Sequence, residues 1–235
     1  DSYVQDYINE YTIGLSLSSP WIFKDSFIKK IQGRLINLHE ADLPCNRGGA
    51  TLSWMIMLRT KKSASTLHFV SPGIDKGDII LKTRYDFPKS LNIPVEYAKF
   101  IFSKSILLIN RFIENVLSDK TFKPISQENG KSTYWPRLNT DVQGYINWEW
   151  DIDDIISFIS AFDNPYPGAR SFIGNKIILI KTVKKITENF EFHPFQHGIV
   201  YRKHNNKIFV ATNGGGLEIN NISDEKGKDY NDKIK

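Results

Sequence analysis

The sequence predicts an α/β domain followed by a smaller β-rich domain. In the first half, short apolar strands alternate with stretches of helical periodicity, which is typical of α/β sheets. In the second half, short β-type runs are separated by turn signals. We therefore divide the chain into an α/β domain at 1–120, a linker with a helix at 121–170, a β-rich domain at 171–224 and a flexible, charged tail at 225–235.

The composition bounds the class of protein. Of the 235 residues, 40% are hydrophobic and 24% are charged, which is ordinary for a globular protein. The net charge of +5 suits an anionic ligand but is too small to require nucleic acid. A single cysteine excludes an internal disulfide, and no apolar run is long enough to span a membrane. We expect a cytoplasmic protein without membrane association.

The first half is organised around the stretch from Arg34 to Leu81. A short apolar strand starts at Leu35. Asn37 and His39 fall two residues apart in it, so both side chains project from one face. A loop, a helix, a second strand, a loop containing Asp75 and a third strand follow. Because open α/β sheets bind ligands beyond the carboxyl ends of their strands, we expect Asn37, His39 and Asp75 to meet there.

Periodicity predicts the remaining elements. A long helix over Asn92–Leu117 should cover one face of the sheet, and an amphipathic helix should occupy Ile152–Phe162. The β-type runs that follow are Lys176–Lys181, Gly198–Arg202, Lys207–Thr212 and Leu217–Ile222.

Several spaced motifs carry a family resemblance. In chain order they are Asn37-Leu38-His39, Leu43-Pro44, Arg47-Gly48-Gly49, Trp54 and Ile74-Asp75-Lys76-Gly77-Asp78-Ile79. They resemble the core of the folate-dependent formyltransferases, which transfer a formyl group from 10-formyltetrahydrofolate to an amine. The resemblance implies that residues 1–120 form part of a Rossmann-like catalytic domain. It also implies that Asn37, His39 and Asp75 are its catalytic residues.

The chemistry of formyl transfer suits these three side chains. An asparagine amide can stabilise the oxygen on which negative charge develops, and a histidine can move protons between the attacking and leaving nitrogens. Asp75 would hold His39 and help to deprotonate the amine. The alternatives are a structural, hydrogen-bonded histidine and an aspartate that only orders its turn. Asp78 competes with Asp75 for the role, and the motif favours Asp75.

The resemblance also implies sites for the two substrates. The formyl donor, 10-formyltetrahydrofolate, would contact two loops, through Ser19, Pro20, Trp21 and Phe23 and through Ser71, Pro72 and Gly73. The alternative for the first loop is a hydrophobic staple at a helix start. Arg47, flanked by Gly48 and Gly49, would grip a phosphate of the acceptor; its alternative is a surface cation.

Other reactive residue types carry no role in this interpretation. Cys45 follows Pro44 but has no basic partner near it in the sequence, so we expect it to be incidental. Histidine and cysteine residues lack the spacing of metal ligands, and we predict no metal.

A second resemblance covers the rest of the chain. The segments Tyr134-Trp135-Pro136-Arg137 and Asn164-Pro165-Tyr166-Pro167-Gly168-Ala169 are similar to the linker of this family, and the β-type runs are similar to its OB-like C-terminal domain. Relatives carry about two further βαβ units, on the order of 60 residues, before the point where this chain begins. We therefore expect the first part of the catalytic domain to be missing.

These features lead to one preferred function and two alternatives. We expect a small-molecule amine acceptor, a nucleotide-linked amino sugar, because the positive charge is mild and the linker has no long basic stretch. Glu40-Ala41 replaces the Pro-Ser that usually follows the family's first motif, which leaves the acceptor open. The alternatives are methionyl-tRNA formylation and an inactive or binding-only fragment. A homodimer is compatible with each.

Overall fold

A computed structural model describes residues 8–19, 21–186, 188, 190–205 and 207–230. They fall into two compact units. The first contains the chain up to Thr51, Lys61–Pro88 and Lys99–Arg137; the second contains Leu52–Thr60, Lys89–Ala98 and the chain from Leu138 onward. The domain boundaries proposed above at residues 120, 170 and 224 stay a prediction, and the chain changes from the first unit to the second at Arg137.

The first unit contains a four-stranded sheet. The strands of this unit, in chain order, are β1 (Gly14–Leu17), β2 (Leu35–His39), β3 (Arg47–Gly48), β4 (Lys62–Phe69), β5 (Ile79–Asp86) and β6 (Tyr134–Trp135). The sheet has the order β1-β2-β4-β5, in which β1 and β2 are parallel and the other neighbours are antiparallel. Strands β3 and β6 pair in parallel as a second, two-stranded sheet.

Three helices belong to the first part of the chain: α1 (Asp25–Lys30), α2 (Thr51–Met57) and α3 (Pro94–Leu117). The long helix predicted from periodicity is confirmed as α3, which starts at Pro94, where proline costs no hydrogen bond. Its residues Leu108 and Phe112 are buried in one cluster with four sheet residues, namely Ile36, Leu38, Leu67 and Ile80. One face of the sheet is therefore apolar and covered, and the alternate residues of β2 and β4 face the other way.

The second unit is an antiparallel sheet with a helix packed on it. Its elements are α4 (Thr140–Gln143), α5 (Ile152–Ala161), β7 (Ala169–Ile173), β8 (Lys176–Lys185), β9 (Val200–His204), β10 (Lys207–Thr212) and β11 (Gly215–Asp224). The strand order is β7-β8-β11-β10-β9. Helix α5, predicted from its periodicity, buries Ile152, Ile155 and Ile159 and packs on β8.

The described part of the predicted tail is folded. Tyr230 is buried, and its backbone N–H donates to the carbonyl of Ile222 in β11. Residues 231–235 lie outside the described part of the chain. Among the helices that the structure describes, none is both long and apolar enough to cross a lipid bilayer.

Candidate active site

Four polar side chains meet on the face of the first sheet opposite to α3. The Nδ1 atom of His39 lies 3.4 Å from one carboxylate oxygen of Asp75, and the Nε2 atom of His68 lies 3.5 Å from the other. The amide nitrogen of Asn37 lies 3.2 Å from the same Nε2 of His68. Both histidines are buried. Asp75 therefore lies between two imidazoles, and the second of them is also next to Asn37.

The meeting point lies beside the carboxyl end of β2, of which His39 is the last residue. Strand β4 runs antiparallel to β2, so Phe69 at its end pairs with Ile36, near the start of β2. The next loop must return along the sheet by about 10 Å, three residues of extended chain, to bring Asp75 to His39. The cluster consequently lies on one face of the sheet beside the carboxyl end of β2, and the loop after β4 brings Asp75 to it.

Two glycines allow the backbone to come this close. A Cβ atom on Gly77 would lie 1.8 Å from the carbonyl oxygen of Phe69, and one on Gly48 would lie 2.2 Å from that of Trp135. The backbone N–H of Gly48 donates to Asp75 Oδ2 at 2.9 Å. Asp75 itself has a positive φ of 50°, a strained conformation that the packed loop maintains. The glycines of the sequence motifs therefore serve the position of this carboxylate.

The hydrogen bonds of the two histidines fix their tautomers. His39 Nε2 lies 2.8 Å from the carbonyl oxygen of Asn46, and His68 Nδ1 lies 2.8 Å from that of Phe69. A carbonyl oxygen only accepts hydrogen bonds, so both of these ring nitrogens carry a hydrogen. In the neutral rings, His39 Nδ1 and His68 Nε2 are therefore bare. Both of these nitrogens face the Asp75 carboxylate, so one proton can bind between a carboxylate oxygen and a ring nitrogen.

Burial and charge lower the pKa values of both members of the pair, so that both stay unprotonated near neutral pH. Burial lowers the pKa of His39 from its usual 6.5, and the Asp75 carboxylate and Asn46 carbonyl counteract this only in part. Burial raises the pKa of Asp75, but the His68 and His39 side chains and the Gly48 N–H outweigh it, so that the pKa is lowered. At neutral pH the pair is thus a carboxylate beside a neutral imidazole.

Arg47 is buried, with 5% of its surface exposed, and it is connected to the loop that holds Asp75. Its guanidinium donates to the side-chain oxygen of Gln127 from Nε at 3.1 Å and from a terminal nitrogen at 2.8 Å. The Gln127 nitrogen in turn donates to the backbone carbonyls of Asp75, at 2.9 Å, and of Gly77, at 2.6 Å. The alternative that Arg47 is a surface cation was wrong. Its contact with a substrate stays a prediction.

Neither His68 nor Gln127 was predicted from the sequence as a residue of the site. His68 in β4 pairs with Asn37 in the adjacent strand β2, and only the register of these two strands shows that the residues are neighbours. The position of a histidine within a β-type run was the one available signal. Gln127 lies in a polar stretch that was predicted to be a linker and gave no signal.

The predicted donor-binding residues lie in loops. Ser19 accepts a hydrogen bond from the Trp21 backbone at 3.2 Å, and the Trp21 side chain is 77% exposed. Phe23 stacks on Phe27 in α1 with ring centroids 5.7 Å apart, which favours the alternative of hydrophobic packing for Phe23. Pro20 lies outside the described residues. Ser71, Pro72 and Gly73 are in the loop that leads to Asp75, and Pro72 and Gly73 are exposed.

Gly49 and Cys45 make hydrogen bonds to backbone carbonyls near them in the fold. The Gly49 backbone N–H donates to the carbonyl of Trp135 at 2.9 Å, which extends the pairing of β3 with β6. Cys45 is exposed, and its thiol donates to the Lys131 carbonyl at 3.2 Å. Within the described part of the chain, no group of three or more histidine, cysteine, aspartate or glutamate residues is arranged to hold a metal ion.

We expect the exchange of Gln127 for leucine to destabilise the first unit by about 1–3 kcal/mol, because a buried guanidinium and two backbone carbonyls lose hydrogen bonds. The loop that holds Asp75 should loosen at the same time. Denaturant unfolding measures the free energy. Ser126→Ala is the matched control, since this neighbour loses a single exposed hydrogen bond to Asp78. Equal unfolding free energies for the two variants would contradict the bridging role of Gln127.

Comparisons with known proteins identify the family to which the two units are similar. A family model described as formyl transferase matches residues 14–93, and one described as formyl transferase, C-terminal domain, matches residues 140–233. The methionyl-tRNA formyltransferase of Rickettsia prowazekii (strain Madrid E) is 31% identical over 198 residues, which are 83% of this chain and 61% of that protein. The chain thus spans about 61% of the length of the curated relatives it matches.

Solved structures share the fold. The N-formyltransferase from Helicobacter canadensis, in complex with folinic acid and dTDP-3-aminofucose, has a TM-score of 0.71 at 21% identity, with 92% of this chain and 76% of that chain covered. The methionyl-tRNA formyltransferase from Clostridium thermocellum has a TM-score of 0.57 at 26% identity, with 74% of each chain covered.

Matches to both domains of one family, in order along the chain, settle its classification. The chain belongs to the formyl transferase family, as the motifs predicted. The predicted fold class, part of a Rossmann-like catalytic domain followed by a small β-rich, OB-like domain, is confirmed as well.

Proposed function

We propose that this protein transfers the formyl group of 10-formyltetrahydrofolate to a primary amine. The observation that carries the proposal is the pair of His39 and Asp75, whose facing atoms lie 3.4 Å apart while the opposite ring nitrogen is fixed on the Asn46 carbonyl. Such a pair can accept one proton without losing any hydrogen bond it already makes. Formyl transfer requires this, because the attacking amine must lose a proton as its bond to the formyl carbon forms.

The proton balance of the reaction follows from that geometry. The amine nitrogen attacks the formyl carbon, and one of its protons passes to Asp75 and is shared with the bare Nδ1 of His39. The bond between the formyl carbon and the donor nitrogen then breaks. The leaving nitrogen takes up the proton, and the pair returns to its original state. The buried position keeps bulk water from supplying or removing that proton.

Asn37 completes the site by stabilising negative charge on the formyl oxygen. An amide N–H is a neutral donor, and a donor that is already oriented needs no rearrangement during the reaction. For the formyl donor itself, the exposed indole of Trp21 offers a flat apolar surface suited to a pterin ring. The loop at Ser71–Gly73, next to Asp75, would form the other wall.

For the acceptor we favour a nucleotide-linked amino sugar. Residues 138–235 carry 12 lysines and arginines against 13 aspartates and glutamates, so the C-terminal region lacks the excess of positive charge that favours RNA. A solved relative of the same fold holds dTDP-3-aminofucose. Methionyl-tRNA is the second candidate, because the relatives with 29–31% identity are methionyl-tRNA formyltransferases. A cytoplasmic location and a homodimer stay predictions.

A panel of acceptors tests the proposal directly. The full chain is incubated with 10-formyltetrahydrofolate and either amino-sugar nucleotides or methionyl-tRNA, and mass spectrometry detects the gain of one carbonyl group. We expect product from a sugar nucleotide, with turnover that depends weakly on salt. Product from methionyl-tRNA alone, with binding that weakens steeply as salt rises, would overturn our choice of acceptor. Absence of product from every amine would favour the inactive or binding-only alternative.

A further inference from the structure

His68 lies inside the cluster, but the chemistry described above gives it no task. It is 2% exposed and sits in β4 directly opposite Asn37 of β2. Its ring contacts the Phe69 carbonyl, the Asn37 amide and the Asp75 carboxylate. A buried histidine that only fills space does not need all of these polar neighbours, so its hydrogen bonds require an explanation.

The hydrogen bonds around His68 impose an order on Asn37. Because Nδ1 donates to the Phe69 carbonyl at 2.8 Å, the neutral ring has a bare Nε2 that can only accept. The Asn37 side chain faces it with its nitrogen, at 3.2 Å, and therefore donates one N–H to it. An amide turned by 180° would instead place its oxygen against a lone pair. His68 thus decides which end of the Asn37 amide faces this part of the site.

We propose that His68 is a positioning residue, which locks the Asn37 amide so that its second N–H is presented to the formyl oxygen. This inference rests on the proposed function, since the orientation matters for rate only if charge develops on that oxygen. The carboxylate of Asp75 lies 3.5 Å from the same Nε2. His68 Nε2 is therefore next to both the amide that would stabilise charge and the carboxylate of the proton-accepting pair, and it accepts its hydrogen bond from the amide.

Two substitutions distinguish positioning from simple packing. Leucine at position 68 fills similar space and accepts no hydrogen bond, whereas the side-chain oxygen of glutamine can accept the Asn37 N–H close to where Nε2 lies. We expect His68→Leu to lower kcat by about 10- to 100-fold, part of the effect of losing one oxyanion donor. KM values for donor and amine should change by less than about threefold, since ground-state binding is not involved. We expect His68→Gln to recover most of the lost rate.

Thr66→Val is the matched control. It removes a buried hydrogen bond, from Thr66 to the Ala41 carbonyl at 2.7 Å, in the same strand and without touching Asn37. It should lower the melting temperature and leave kcat unchanged within about threefold. If His68→Leu and His68→Gln both behave like Thr66→Val, His68 is a packing residue and the inference is overturned.

A second readout does not depend on turnover. In ¹⁵N NMR spectra of the wild-type protein, His68 Nε2 should show the shift of a bare ring nitrogen and Nδ1 that of a protonated one. The Asn37 side-chain signals should move in His68→Leu and stay close to their original place in His68→Gln. A protonated Nε2 in the neutral ring would overturn the inference, even in an active enzyme. If Nε2 is bare but the protein formylates no amine, the hydrogen bond between Asn37 and His68 stands. The proposed function and the positioning role of His68 that depends on it are then both refuted.

Discussion

Replacing His39 by glutamine should lower kcat of formyl transfer by about 10²–10⁴-fold, the range that a positioned proton-transfer group contributes. The glutamine amide can still donate to the Asn46 carbonyl, but it cannot hold a proton against Asp75 at neutral pH. The reaction then loses the transient store for the proton that leaves the amine. Steady-state formylation of the acceptor identified in the panel measures the loss.

The control for this substitution is His204→Gln, which makes the same change on the exposed strand β9. That variant should retain wild-type kcat.

The pH dependence of folding stability provides an independent check. The pKa of His39 is lowered in the folded chain. As the pH falls below about 6.5, the unfolded chain therefore binds a proton at His39 more readily than the folded chain does, and the free energy of unfolding decreases. This acid-dependent loss should shrink in His39→Gln. Wild-type kcat in His39→Gln would refute the catalytic role.

The second large effect is expected from Asp75→Asn. The amide keeps the shape of the carboxylate, and its oxygen can still accept from the Gly48 N–H, but the negative charge is gone. In serine proteases the equivalent change beside a histidine costs about 10⁴-fold, and we expect a loss of about 10²–10⁴-fold in kcat/KM here. The sites differ in chemistry but share a carboxylate that orients an imidazole and stabilises its charged form.

The same variant predicts a shift in the pH profile. Asp75 raises the pKa of His39 against the lowering effect of burial, so its removal should lower that pKa further. The acid limb of the residual activity should therefore move to lower pH. Asp78→Asn is the matched control in the same loop, because Asp78 accepts only an exposed hydrogen bond from Ser126 among the bonds seen for its side chain in the described residues. Equal losses in both variants would contradict the assignment of Asp75.

Much of the candidate site was predictable because it depends on local rules. The alternation of side chains in a strand placed Asn37 and His39 on one face, and the structure keeps them there. Gly48 and Gly77 are part of the sequence motifs. The structure explains why glycine stands there, since a side chain at either position would collide with a backbone carbonyl. The family resemblance supplied Asp75, which no local rule connects with His39.

The direction of β4 was not predictable in the same way. The order of strands, loops and helix in the sequence left the relative direction of β2 and β4 open, and in the structure β4 runs antiparallel to β2. Antiparallel and parallel strands use similar residues, so composition does not distinguish them where both faces are covered. The antiparallel register places His68 opposite Asn37, a contact that the sequence did not predict.

The family, the fold class and the spacing of Asn37 and His39 could be predicted from the amino-acid sequence, because each depends on residues that are close together or on a fixed motif order. The contacts of His68 with Asn37 and Asp75, and those of Gln127 with Arg47 and the Asp75 loop, are visible only in the folded chain. These contacts link residues that are 7 to 80 positions apart in the chain. They are set by strand register and loop packing, which no single segment encodes.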